Sequence, residues 1–187
     1  MEKDHRSSLS FSAIMLAEAG VCIALAKILG SIKLFEMPLG GSITPASMAP
    51  LFLFAIRWGW KRGLLVGFAY GIVDMLIGGY VIHPAQMILD YPAAYAMCGL
   101  AGLALVKSNT NTITAHLPSI LLATLMRALM HIISGLIFFG EGRSFGASLA
   151  HSVGYNLQFL LPDVVICIVV LYLLWPPLSR VFRDQRA

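Results

Sequence analysis

Charge is what this sequence has least of. Asp, Glu, Lys and Arg make up 12% of its 187 residues while 58% are hydrophobic, and the mean hydropathy is +0.82. A soluble domain carries about a quarter charged residues, so this composition excludes an ordinary globule and implies a polytopic membrane protein. Cysteine is sparse too. Cys22, Cys98 and Cys167 each sit in an apolar stretch, far apart, which argues against a CxxC metal pair or a disulfide framework and leaves them as small packing residues. The chain has no HExxH motif, no GxSxG elbow and no Walker A loop, so metal-assisted hydrolysis, serine acyl transfer and ATP hydrolysis lack their usual residues. It shows no internal repeat, low-complexity tract or second domain, and residues 1–187 read as one integral membrane unit.

What is present is a series of apolar runs. About 20 apolar residues cross a bilayer, and on that rule six spans fall at about 11–30, 44–57, 63–79, 84–106, 117–139 and 148–175, the second short and the last long. The expected fold is therefore all-α, with six transmembrane helices. The net charge of +4 is distributed as short basic clusters beside the spans, not as a nucleic-acid surface. Lys3 with Arg6, Arg57 with Lys61 and Arg62, Lys107, and Arg180 with Arg183 and Arg186 fall on one side, which the positive-inside rule makes cytoplasmic together with both termini. Trp58, Trp60 and Trp175 lie at the same ends, where amphipathic indoles favour the headgroup zone. The N-terminal stretch imitates a signal peptide, with Ala24-Leu25-Ala26 as a cleavage site. Against that reading, Ala13, Ala17, Gly20 and Ala24 recur at helical spacing and form a narrow small-residue face suited to close helix approach.

Polar residues inside the spans carry the functional signal, because a charge there is costly and by default meets a ligand, an ion or a partner charge. Asp90 lies roughly 9 Å from the outer end of the fourth span, and His131 and Asn156 roughly 12 Å from the outer ends of the fifth and sixth. His151 sits nearer the rim. His131, Gly135 and Phe139 share one helix face, with Gly135 leaving room against a flat ring, and Tyr91 adds an aromatic beside Asp90. One carboxylate, aromatic walls, an amide and imidazoles suit a small cation with hydrogen-bonding groups. Each has a plainer reading: helix capping for Asp90, interhelical bonds for His131 and Asn156, belt aromatics for Tyr91 and Phe139, a solvated ring for His151. A deeper layer of Asp74, Arg127 and Asp163 reads as structural glue in which Arg127 pairs with either aspartate, or alternatively as an ion relay. Glu18 is ambiguous.

The segments Met37-Pro38-Leu39-Gly40-Gly41-Ser42-Ile43-Thr44, Ser47-Met48-Ala49-Pro50, His83-Pro84 with Gln86 and Leu89-Asp90-Tyr91-Pro92, His131 with Ser134-Gly135 and Phe138-Phe139-Gly140, and Tyr155-Asn156 with Leu161-Pro162-Asp163 occur in order. Together the chain resembles the thiamine-specific substrate-binding (S) component of bacterial energy-coupling factor (ECF) transporters. That resemblance implies a six-helix protein of the bacterial cell membrane that captures thiamine from outside, performs no chemistry on it and needs no cofactor. It implies partners as well: a transmembrane coupling protein and two ATPase subunits. By the same resemblance Asp90, Tyr91, His131, Gly135, Phe139, His151 and Asn156 contact the vitamin. Ala13 and Ala17, with Gly20 and Ala24, dock the coupling protein, and the loop of Gly40, Gly41 and Ser42 forms a lid. Competing readings are an S component for another vitamin, a stand-alone proton-coupled carrier using Asp74, Asp163 and Arg127, and an intramembrane enzyme with Asp90 and His131 as an acid–base pair.

Overall fold

The computed structural model describes residues 12–103, 112–140 and 142–184. The expected span limits Phe11 and Val106, and the basic residues Lys3, Arg6, Lys107 and Arg186, lie outside them. Helix α1 (Ala13–Ser31) starts where the Ser12 hydroxyl accepts from the Met15 N–H at 3.2 Å, satisfying one of the donors a helix start leaves open. Only Met15 and Ala26 of α1 are buried. Ile14, Leu16, Val21, Leu25 and Ile28 are exposed, as lipid-facing side chains of a peripheral span are. A short hairpin follows, β1 (Phe35–Glu36) antiparallel to β2 (Ser42–Ile43) with Phe35 opposite Ile43.

The second span departs from expectation. Its helix, α2 (Ala49–Trp58), begins five residues later than residue 44. Residues 44–48 are non-helical because the Thr44 N–H and hydroxyl both donate to Asp163 (2.9 and 2.7 Å) and Ala46 adopts φ 65°. Irregular backbone at membrane depth is tolerated where it is buried in protein or lines a cavity, and Thr44 and Ser47 do both.

Gly59, at φ 89°, turns the chain into α3 (Trp60–Leu76). Gly63, Gly67 and Gly71 form an i, i+4, i+8 stripe on α3. A Cβ at Gly67 would lie 2.2 Å from the Tyr95 carbonyl oxygen and one at Gly71 2.6 Å from Pro92 Cα, so the absence of side chains is what lets the next rod lie backbone against backbone. That rod runs over 84–102 as α4 (Pro84–Ile88), a π turn (Leu89–Ala93), α5 (Ala94–Ala96) and a 3-10 segment (Met97–Gly102). Pro92 has no N–H to donate inside the turn, which favours the wider winding there.

Helix α6 (Leu117–Phe138) and the 40-residue α7 (Phe145–Asp184) pack together and complete the bundle of six helical rods. Helices Ala13–Ser31, Ile113–Phe138 and Phe145–Ser179 are long and apolar enough to cross a membrane. The main core, around Phe52, Tyr70, Ile120, Leu171 and Trp175, fills the bundle, and a smaller cluster of Ala128, Phe159 and Leu160 lies beside the cavity described next.

Candidate ligand-binding cavity

A cavity of about 380 Å³ lies among the rods and is roofed by residues of the 39–42 and 77–80 loops. Among its lining residues is Asp90, which the π turn carries on the 84–102 rod. A carboxylate can only accept, so three donors converge on it: His131 Nδ1–H on Oδ1 at 3.0 Å, Gln86 Nε2–H on Oδ2 at 2.7 Å and the Ser134 hydroxyl on Oδ2 at 2.8 Å. With its proton on Nδ1, His131 presents Nε2 as an acceptor. That atom is buried and has no hydrogen-bond partner among the described residues. The His131 ring meets Phe159 edge-on at 6.1 Å, and Phe159 meets Tyr155 edge-on at 5.9 Å.

All seven residues singled out from the sequence line this cavity: Asp90, Tyr91, His131, Gly135, Phe139, His151 and Asn156. So do Gly40, Gly41 and Ser42. Their geometry refines the expectations in three respects. Gly135 makes room for a helix, not a ring, since a Cβ there would lie 2.1 Å from Ser152 Oγ of α7, whose hydroxyl donates to the Ile132 carbonyl at 3.0 Å. The Tyr91 hydroxyl is engaged by the backbone of Tyr80, accepting from its N–H at 2.5 Å. Asn156 is buried, and its amide N–H donates within α7 to the Ser152 carbonyl at 2.9 Å.

The deeper layer is wired differently from the expected Arg127–aspartate pair. Asp74 pairs with Lys27 of α1 at 2.7 Å, and the Lys27 ammonium also donates to the Ile77 carbonyl at the end of α3. Asp163 is held by Thr44. Arg127 instead lies over the Tyr95 ring at 4.4 Å and against the sulfur of Met48, a delocalised cation on an aromatic face. Among the described residues Arg127 therefore forms no ion pair with Asp74 or Asp163.

The roof is tied down from both sides. The Tyr155 hydroxyl accepts from the Gly41 N–H at 3.0 Å and donates to the Pro38 carbonyl. A Cβ at Gly41 would meet Phe159 at 2.8 Å and the Tyr155 hydroxyl at 2.9 Å, so this turn closes on α7 only with glycine. Sequence reasoning missed Lys27, Tyr80 and Phe159, and quoted Gln86, Ser134 and Tyr155 without giving them roles. Signals existed for several. Gln86 is at i−4 from Asp90, Ser134 at i+3 from His131, and Lys27 is an ammonium near the end of an apolar span.

The stripe on α1 is not bundle packing. Ala13, Ala17, Gly20 and Ala24 are all exposed, and a Cβ at Gly20 would touch nothing within 4 Å. Behind it, Glu18 accepts from Trp58 Nε1 at 2.7 Å and pairs with Arg57 at 2.8 Å, which gives that residue a place between α1 and α2.

A six-rod helical membrane bundle enclosing a preformed cavity with a hydrogen-bonded carboxylate belongs to the class of membrane binding and transport proteins. Comparison with known proteins makes this specific. The model of the family described as thiamine transporter protein (Thia_YuaJ) matches residues 16–183, and the chain belongs to that family. It is 33% identical over 186 residues to the thiamine transporter ThiT of Bacillus subtilis (strain 168), covering 93% of this chain and 96% of that one. It is 28% identical to ThiT of Lacticaseibacillus paracasei over 72% of this chain and 74% of the relative. A solved structure of ThiT from Listeria monocytogenes shares the fold, with a TM-score of 0.76 at 24% identity over 90% of this chain and 97% of that one.

Proposed function

We propose that this chain is a thiamine-binding S component: it captures the vitamin in the cavity around Asp90 and passes it inward with an ATPase-driven coupling module. Family membership supports the ligand. The observation that carries the site is the pairing, in one cavity, of a carboxylate with a buried histidine acceptor that has no partner among the described residues. Thiamine carries a permanent thiazolium charge and an aminopyrimidine whose N–H groups donate. Asp90 offsets the charge, His131 Nε2 accepts from the amine, and Phe139, Tyr155 and Phe159 supply ring faces and edges for stacking and cation–π contact.

By the positive-inside rule, the end carrying Arg57, Lys61 and Arg62 is cytoplasmic. The cavity, roofed by the opposite loops, then opens outward, and both termini lie inside. The chain performs no chemistry on the vitamin and uses no cofactor. With no Walker A loop, it depends on partner ATPases for energy, and the exposed stripe of Ala13, Ala17, Gly20 and Ala24 is the face that meets the coupling protein. The test is mass spectrometry of small molecules that copurify with the chain, followed by calorimetric titration of the emptied protein. Unaltered thiamine and saturable binding are expected. Copurification of a different vitamin, with no heat on adding thiamine, would refute the reading.

A further inference from the structure

The 77–83 loop over the cavity is exposed along most of its length and reverses at Gly78 with φ 109°. Two side chains of the 84–102 rod hold it: Tyr91 on the Tyr80 backbone, and Gln86 on both Tyr80 and Ile82. Gln86 is 2% exposed, and both of its amide N–H groups and its carbonyl oxygen are hydrogen-bonded. Nε2 donates to Asp90 Oδ2 at 2.7 Å and to the Tyr80 carbonyl at 3.1 Å, while Oε1 accepts from the Ile82 N–H at 3.1 Å.

This set of partners fixes the amide's orientation. Asp90 and the Tyr80 carbonyl can only accept and the Ile82 N–H can only donate, so a flipped amide would face three mismatches at once. A buried side chain with both donors and its carbonyl oxygen engaged moves only if its partners move.

We propose that Gln86 is a positioning residue that links the Asp90 carboxylate to the 77–83 loop, so that occupancy of the carboxylate by the ligand sets the order of the loop. The inference rests on the thiamine-binding reading above. The physical step is local. Oδ2 takes two protein donors, Gln86 and Ser134, and a cationic ligand at the same carboxylate fixes where that oxygen lies. Gln86 passes the position to Tyr80 and Ile82 through its other N–H and its carbonyl. Tyr80 in turn lies against the 37–41 turn, where a Cβ on Gly40 would be 3.3 Å from Tyr80 Cβ, so both roof segments respond to one carboxylate. Tyr91 ties the same loop without bonding Asp90, which separates a structural tie from a relay.

The experiment uses the full-length chain in detergent, with thiamine as probe and two readouts: calorimetric affinity, and hydrogen–deuterium exchange of the 77–83 segment with and without saturating thiamine. In the unsubstituted protein thiamine is expected to slow exchange at 77–83. Gln86→Met keeps the side-chain volume and removes all three bonds. It is expected to weaken affinity by about tenfold, the scale of a hydrogen bond to a charged group, and to abolish the ligand-dependent slowing even when saturated. Gln86→Asn keeps an amide that is too short to bridge and should behave the same way, which covers a Met variant that fails to fold. Tyr91→Phe should speed exchange in the free protein yet keep the slowing on binding, which a purely structural role for Gln86 would equally give in its own variants. Retained ligand-dependent slowing in folded Gln86→Met or Gln86→Asn overturns the proposal, as does an unsubstituted protein that binds thiamine with no change at 77–83. If the unsubstituted protein binds no thiamine, the functional reading fails and the relay with it.

Discussion

Replacing Asp90 by Asn removes a charge from the cavity wall and almost nothing else. The amide oxygen can take the place of Oδ2 and keep accepting from Gln86 and Ser134, which stand 2.7 and 2.8 Å from it. The amide NH2 then faces His131 Nδ1, 3.0 Å away. Two donors cannot share that contact, so the imidazole answers by carrying its proton on Nε2. The network survives and the fold should remain intact. Two things are lost to a cationic ligand: the carboxylate, and the acceptor that Nε2 presented. Unit charges about 4 Å apart attract by about 4 kcal/mol at an effective dielectric of 20, and desolvation cancels part of it. The net worth of a hydrogen bond to a charged group is about 1.5–3 kcal/mol, which converts to about 10- to 100-fold in Kd. Asp90 is 18% exposed, so some solvent screening remains, and the tautomer change acts in the opposite direction by adding a second loss. At least tenfold weaker thiamine binding is therefore expected by isothermal titration calorimetry, with an unchanged melting temperature. An unaltered Kd in a folded Asp90→Asn variant would place the cation elsewhere and refute the reasoning.

Other substitutions test the remaining surfaces. Phe139→Trp should preserve or tighten binding, while Phe139→Ala should cost about 1–2 kcal/mol of affinity through lost ring contact; equal Kd values for all three would remove this residue from the site. Gly67→Ala drives a methyl to within 2.2 Å of the Tyr95 carbonyl oxygen and should destabilise the bundle by about 1–3 kcal/mol or more in thermal melts; a melting temperature like that of the parent would contradict backbone contact between α3 and the 84–102 rod. Ala17→Trp, on the exposed face of α1, should bind thiamine normally yet fail to support uptake by cells expressing the full transporter, because a bulky ring prevents close helix approach. Normal uptake would mean that the stripe does not dock a partner.

The legible part of this fold is the part set by period and polarity. Apolar runs locate α1 and α6 to within two residues and the start of α7 to within three, while α7 runs nine residues past the expected end at 175, and in-membrane polarity points to Asp90, His131 and Asn156 because such groups are too costly to be idle. The rest depends on partners far apart in the chain. Nothing near Thr44 announces that Asp163, 119 residues later, will take both of its donors, so 44–48 read as the start of a helix. The choice of Lys27 as partner to Asp74 is likewise tertiary, since Arg127 is as plausible by depth and loses to the ring of Tyr95. Gly63, Gly67 and Gly71 share the helical spacing of the small residues on α1, yet the two stripes play opposite parts that spacing does not distinguish: one is closed against a neighbouring backbone and the other is open.

That contrast places ligand capture and partner contact on different kinds of backbone. Around the cavity, regular helix gives way at three places: a π turn carries Asp90, residues 44–48 are non-helical where Thr44 reaches Asp163, and Phe139 ends α6 with non-helical dihedrals. In a bilayer such departures are tolerable only where other protein groups satisfy the freed donors and acceptors, as the cavity-lining Asp163 does for the Thr44 N–H. Each carboxylate of the cavity has partners of its own: Lys27 for Asp74, Thr44 for Asp163, and Gln86, Ser134 and His131 for Asp90. Asp74 is neutralised by the Lys27 ammonium in contact, whereas no lysine or arginine among the described residues pairs with Asp90, so its charge is available to an incoming cation. Helix α1, by contrast, is an uninterrupted helix whose stripe of Ala13, Ala17, Gly20 and Ala24 is exposed, and a change in that stripe should leave the carboxylate and its three donors where they are.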